Sequence, residues 1–168
     1  MKQFIIIFAS AFLFQNCTSN QPTDQELLEK AKKLHSKFVT IDSHTDTPLM
    51  LMQDGFNIFS AKDNARAKVT LEYMVEGGLD VAFFAVYIGQ DERTPEKYEE
   101  VHQTALAIFD SVHSAIGRYP KYAAIARNAD DAKKLKDEGK RAIYIGIENG
   151  YPIGKDLSKI DAYYNLGA

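Results

Sequence analysis

The chain has 168 residues, 45% of them apolar and 26% charged, with a formal net charge of -3. Those proportions belong to a soluble globular protein of about one domain and exclude a disordered or collagen-like chain. With 20 basic side chains against 23 acidic ones, the balance argues against broad nucleic-acid binding, which needs a basic surface. Cys17 is the single cysteine, which excludes an internal disulfide and a thiolate zinc cluster.

Lys2 gives a short positive start, and Phe4 to Phe14 is apolar apart from Ser10. That is the length of a signal peptide and too short to span a bilayer. Cys17 follows, and then a polar leash, Thr18-Ser19-Asn20-Gln21-Pro22. The pattern resembles a bacterial lipoprotein signal: residues 1–16 removed, Cys17 lipidated at the new N-terminus, residues 17–24 a tether and residues 25–168 the folded part. Asn16 stands where a small residue is usual, and Phe14 where leucine is commonest. A plain cleaved signal and a buried N-terminal segment with an ordinary core cysteine are therefore the competing readings. Lipidation would hold the protein on a bacterial envelope membrane, periplasmic or surface-facing, without spanning it.

Thr23-Asp24-Gln25-Glu26 is a capping box, and Leu27, Leu28, Ala31, Leu34 and Phe38 then recur at helical spacing, with His35 on the flank as a surface residue. Phe38-Val39-Thr40-Ile41 reads as a strand running into Asp42-Ser43-His44-Thr45-Asp46-Thr47-Pro48. Residues 49–69 read as irregular, with a turn at Asp54-Gly55. A short helix through Leu71, Met74 and Val75 closes at Gly77-Gly78, and Val81 to Ile88 is a strand buried on both faces. Thr94-Pro95 opens the longest helix, striped by Tyr98, Val101, Ala105, Ile108, Phe109, Val112 and Ile116 and ended by Gly117. His102 and His113 flank that stripe about three turns apart, ~16 Å along the axis, too far to share one ion. Both read as surface or boundary residues.

Tyr122 to Ala126 is a short strand, Asn128 caps a helix stopped by Gly139, Ala142 to Ile147 is another buried strand, and Asp156 to Leu166 a last helix. Asp130 and Asp131 early in the Asn128 helix and Lys133, Lys134 and Lys136 later suit its dipole. Four strand-to-helix units imply a mainly parallel sheet covered by helices. An open doubly wound sheet and part of a (β/α)8 barrel both fit, although a whole barrel usually takes about 250 residues.

Two polar clusters follow apolar strands, where functional groups gather in parallel sheets. In the first, Asp42, His44 and Asp46 alternate, so a continuing strand would carry all three on one face. His44 and Asp46 could meet on one divalent cation, and imidazole with carboxylate suits zinc or a similar first-row metal. Asp42 would orient a ligand from behind. In the second cluster Glu148 follows Gly146, which lets another backbone or a ligand approach, and a carboxylate can bridge two cations. Taken singly, His-x-Asp is more often a turn with a capping aspartate, and a strand-terminal glutamate more often an ion-pair or loop-capping residue. Together at matching strand ends they read as a metal site.

These segments resemble the membrane dipeptidase family, the renal-dipeptidase-like zinc peptidases. The resemblance rests on Ile41-Asp42-Ser43-His44-Thr45-Asp46-Thr47-Pro48, on Glu76-Gly77-Gly78-Leu79-Asp80 with the strand after it, on Ile145-Gly146-Ile147-Glu148-Asn149-Gly150, and on the closing Tyr163-Tyr164-Asn165-Leu166-Gly167-Ala168. It implies α/β architecture as the N-terminal portion of a (β/α)8 TIM-type barrel, with two zinc ions at the strand ends. His44 and Asp46 would bind one zinc, and Glu148 would bridge both and position the hydroxide that attacks a dipeptide. The family's further histidine ligands, its substrate-binding arginine and its catalytic aspartate come from later strands. The resemblance therefore implies the N-terminal half of a dipeptidase domain, inactive alone. Relatives are commonly dimers, so a homodimer is implied too. Another two-metal amide or lactone hydrolase on this scaffold, and a non-catalytic lipoprotein binding module, are the alternatives. The aspartate at position 46, where many such hydrolases carry a second histidine, favours the dipeptidase.

Overall fold

The computed structural model describes residues 21–60 and 64–168. The proposed signal, Cys17 and the first half of the tether lie outside the described residues. Ten elements follow in chain order: α1 (Asp24–Lys37), β1 (Ile41–Thr45), α2 (Thr47–Leu51), α3 (Leu71–Gly77), β2 (Val81–Tyr87), α4 (Pro95–Gly117), β3 (Ala123–Ile125), α5 (Ala129–Asp137), β4 (Arg141–Glu148) and α6 (Ser158–Asn165). The helix starts follow their capping chemistry. Thr23 Oγ1 accepts the Glu26 N–H while the Glu26 carboxylate accepts the Thr23 N–H, and Asn128 takes the first N–H groups of α5. Thr94 does the same ahead of Pro95.

The strands form one four-stranded, all-parallel sheet in the order β1-β2-β4-β3. The three-residue β3 docks outside β4, which makes β2 and β4 direct neighbours. They pair in register along their whole length: Val81 with Ala142, Phe83 with Tyr144, Ala85 with Gly146, Tyr87 with Glu148. Because side chains alternate faces, this set lines one face, and Ala82, Phe84, Val86, Ile143 and Ile145 line the other.

That second face carries the main core. The α4 stripe of Ala105, Ile108, Phe109, Val112 and Ile116 is buried against it, together with Ile58, Leu71 and Met74. Tyr163 of α6 is 1% exposed and stacks on Phe109 with ring centroids 5.8 Å apart. Its hydroxyl donates to the Pro152 carbonyl and lies 2.6 Å from His102 Nδ1. His113 Nε2 donates to the Leu166 carbonyl. Both α4 histidines are thus half-buried packing residues that tie α6 to α4, as their positions on the stripe's edge predict.

The first face is closed at its base by Leu135 and Ala132 of α5, which pack on Val81 and Ala142. Above them Phe83 and Tyr144 stack at 4.8 Å. The same base holds a polar knot. Asp80, 4% exposed, takes the Arg141 guanidinium at 3.0 Å, the Lys136 ammonium at 2.5 Å and the Thr40 N–H at 3.0 Å. Burial works to raise the Asp80 pKa, but the Lys136 and Thr40 hydrogen bonds outweigh it and hold the carboxyl below the usual aspartate value. Gly78, left-handed at φ 68°, ends α3, and its carbonyl accepts from Thr40 Oγ1 at 2.6 Å; His35, exposed as expected, rests its imidazole on the same glycine.

Three elements differ from expectation. The first strand runs Ile41–Thr45 instead of starting at Phe38. Phe38 caps α1, and Thr40 spends its N–H and hydroxyl on the Asp80 knot, so sheet pairing begins one residue later. The apolar stripe of α1 is real in sequence, yet none of its residues is buried; Leu27, Leu28 and Leu34 are all more than 40% exposed. Residues 49–69, read as irregular, contain the end of α2.

Candidate metal centre

β1 and β4 lie on either side of β2, with their C-terminal ends at the same edge of the sheet. Between them the β2–β4 pair places Ala85 opposite Gly146. Two small residues there leave an open hollow of about 240 Å³ above the Phe83–Tyr144 stack, walled by Ser43, His44 and Glu148. A Cβ built on Gly146 would meet nothing within 4 Å. The glycine therefore contributes open space beside Glu148 rather than a close backbone contact.

His44 reaches this hollow through an irregularity in β1. Asp42 pairs with Ala82 and Thr45 with Phe84, so three steps on β1 match two on β2. Such a bulge re-aims side chains, and it interrupts the strict alternation expected for Asp42, His44 and Asp46. Asp42 is consequently turned to the backbone: its Oδ1 accepts the His44 N–H at 3.0 Å. It secures the bulged main chain that carries His44 and makes no bond to the imidazole.

Asp46 occupies the N-cap position of α2, where an aspartate ordinarily accepts a first-turn N–H. It makes no such bond. Thr45 Oγ1 accepts the Thr47 N–H there, and Thr47 Oγ1 reaches the Val69 carbonyl. The Asp46 carboxylate is thereby left to face the His44 imidazole at the edge of the hollow. Glu148 ends β4, and Asn149 after it is held in the left-handed region at φ 63°. Asn149 tolerates this because its amide donates to the Ile88 carbonyl at 2.7 Å and its Oδ1 accepts the Tyr151 N–H. The turn carries the chain away immediately after Glu148.

The result is a triad of donors. His44 Nε2 lies 3.3 Å from Glu148 Oε2 and 3.5 Å from Asp46 Oδ1. One ligand atom from each residue falls within 4.8 Å of the others. Among the described residues no lysine or arginine pairs with either carboxylate. Two carboxylates converging without a fixed counter-charge repel, and a divalent cation would reverse that repulsion. One imidazole and two carboxylate oxygens are also a donor set that suits zinc and its first-row neighbours. The residues present fit a metal.

Of the positions singled out in sequence, His44, Asp46 and Glu148 come together, Asp42 supports from the backbone side, and His35, His102 and His113 lie elsewhere. Sequence reading passed over Asn149, Ala85 and the Asp80 knot. An aspartate immediately before a wholly apolar strand was the available signal for the last.

Comparison with known proteins agrees with this geometry. The membrane dipeptidase family, peptidase family M19, matches residues 28–168. Mouse Dipeptidase 3 is 25% identical over 148 residues, covering 86% of this chain and 28% of its own length. The probable dipeptidase PvdM from Pseudomonas aeruginosa superposes with a TM-score of 0.69 at 23% identity, over 87% of this chain and 37% of that one. A metallo peptidase from Rhodobacter sphaeroides, liganded with a phosphinate mimic of the dipeptide L-Ala-D-Ala, gives 0.66 at 21%, over 77% of this chain and 43% of that one. The chain thus spans well under half the length of the relatives it matches. At these identities the structural likeness is one of fold, and it assigns the sheet to part of a TIM-like barrel, not to an open doubly wound sheet. The family is metal-dependent, and a matching donor group stands at the strand ends. With the family match extending over residues 28–168, the chain belongs to the membrane dipeptidase family.

Proposed function

We propose that this chain carries the first metal ligands of a zinc dipeptidase. The observation behind the proposal is the convergence of His44, Asp46 and Glu148 at the ends of β1 and β4. The reaction is hydrolysis: water adds across the peptide bond, the carbonyl carbon gains the hydroxyl oxygen, the C–N bond breaks and the leaving amine takes a proton. Bound divalent cations would supply carbonyl polarisation and a lowered water pKa. His44 and Asp46 would hold one cation and Glu148, with two oxygens, would reach two. Asp42 would keep the His44 backbone in place, and Asn149 would keep Glu148 at the rim. The open hollow over Ala85 and Gly146 leaves room for the reacting amide.

The test uses the full chain as its source cells make it, loaded with zinc and offered a panel of dipeptides that includes L-Ala-D-Ala. Turnover is expected, with loss on chelation and recovery when zinc is restored. A zinc-loaded protein that cleaves lactones or cyclic amides but no dipeptide would overturn the reading in favour of another metal-dependent hydrolase.

The apolar run Phe4 to Phe14 followed by Cys17 supports a lipid-anchored envelope protein. Among the described residues no helix is long and apolar enough to cross a membrane. The mature N-terminus is expected to be acylated Cys17, and Cys17→Ser is expected to release the protein from membranes. Mass spectrometry of the membrane fraction checks this, and an unmodified N-terminus upstream of residue 17 would refute it.

A further inference from the structure

A second cleft, of about 350 Å³, adjoins the metal centre and shares Asp46 with it. Its walls include Met50, Gln53 and Phe56 on one hand and Arg66 and Lys68 on the other. Among the described residues Asp46 is the sole acidic one lining it, and the donor triad already claims that carboxylate. Ala67, between the two cations, is 5% exposed, whereas Arg66 and Lys68 are exposed. Arg66, Ala67 and Lys68 all line the cleft.

The segment is anchored at both ends. Asn64 closes a turn by accepting the Arg66 and Ala67 N–H groups, and the Val69 carbonyl accepts from Thr47 Oγ1 beside Asp46. Among the described residues neither the Arg66 guanidinium nor the Lys68 ammonium has a carboxylate or carbonyl partner. Cations on surfaces are ordinarily solvated and carry no message. Here two of them, without an ion-pair partner among the described residues, line one cleft together with Met50 and Phe56, and it adjoins the proposed metal centre at Asp46. An arginine fork matches a carboxylate in two parallel hydrogen bonds, and a lysine adds a point charge.

We propose that this cleft is a side-chain subsite that selects a dipeptide bearing a carboxylate side chain, aspartyl or glutamyl, with Arg66 and Lys68 as the recognition pair. The inference rests on the dipeptidase reading above. It adds that the substrate is acidic, and the apolar wall of Met50 and Phe56 receives the methylene stem of that side chain. Because the recognition charges are exposed, their attraction is screened by salt.

The experiment measures hydrolysis of Ala-Asp, Ala-Glu, Asp-Ala and Glu-Ala against their Asn and Gln counterparts by the zinc-loaded full chain. At least one acidic substrate is expected to show a KM about tenfold below its amide, with similar kcat, and to lose that advantage at high salt. Arg66→Gln and Lys68→Gln should each shrink the ratio, and the double variant Arg66→Glu with Lys68→Glu should move preference to a lysyl dipeptide. Calorimetric binding of free glutamate against free glutamine should follow the same order without turnover. If dipeptides are cleaved but acid and amide partners share one KM, the subsite falls and the dipeptidase reading stands. Equal losses on acid and amide substrates in the variants would also overturn it, as a structural role. No turnover of any dipeptide would overturn both.

Discussion

Replacing His44 or Glu148 with alanine is expected to lower kcat/KM of the zinc-loaded full chain by at least ~10³-fold, because the several kcal/mol of charge stabilisation at such a centre converts at about 1.4 kcal/mol per tenfold. Each removes one of three donors within 4.8 Å and leaves two residues unable to close a coordination sphere alone. Elemental analysis should show bound metal falling with activity, which separates loss of ligation from loss of substrate binding. Both side chains are roughly half exposed, so the variants should melt near the parent. Asp42→Asn is a graded control. Among the described residues its carboxylate bonds only the His44 N–H, and groups that orient ligands typically cost 10–100-fold in metal affinity or activity. Full activity and metal content in His44→Ala would remove the assignment altogether.

The second large effect belongs to stability. Asp80→Asn keeps the shape but withdraws the charge that faces Lys136 and Arg141, whose side chains are only 20% and 15% exposed. Breaking a buried pair by removing one partner typically costs about 3–5 kcal/mol. For a chain of this length that corresponds to a melting shift on the order of 10 °C. The pH dependence follows from direction alone. The Asp80 carboxyl sits below its ordinary value in the fold, so its stabilisation is complete above the unfolded-state value of about 4. It is lost as pH falls through the lower folded value. The gap between wild type and Asp80→Asn should therefore be widest near neutrality and close as the solution is acidified toward pH 3. A gap that persists unchanged at low pH would show that the charge is not what the knot contributes. Among the described residues the buried Arg141 Nε has no partner, so the knot carries one unsatisfied donor there and has little reserve for losing its anion.

Much of this protein was legible along the chain. Capping chemistry at Thr23, Thr94 and Asn128 is local, because a side chain bonds N–H groups two or three residues on, and all three helices start where that chemistry puts them. The α4 stripe and the apolar runs of β2 and β4 report burial through periodicity, which needs no knowledge of the partner. His44, Asp46 and Glu148 could be picked out because carboxylates and an imidazole end otherwise apolar strands.

Three other features were decided only by the tertiary structure. The strand order sets β2 alone between β1 and β4, and nothing local to β3 says that it docks outside β4. The bulge in β1 turns Asp42 to the backbone and His44 to the hollow, a consequence of pairing with β2 that period-two counting cannot contain. The apolar face of α1 stays uncovered although its spacing is that of a buried helix, because amphipathicity says which face would be buried and not what would lie against it. Local bonds and periodicity are properties of neighbours in sequence, whereas the distance from His44 to Glu148 is a property of a sheet. The sequence by itself determined the residues that could hold a metal, and the folded sheet decided that they meet.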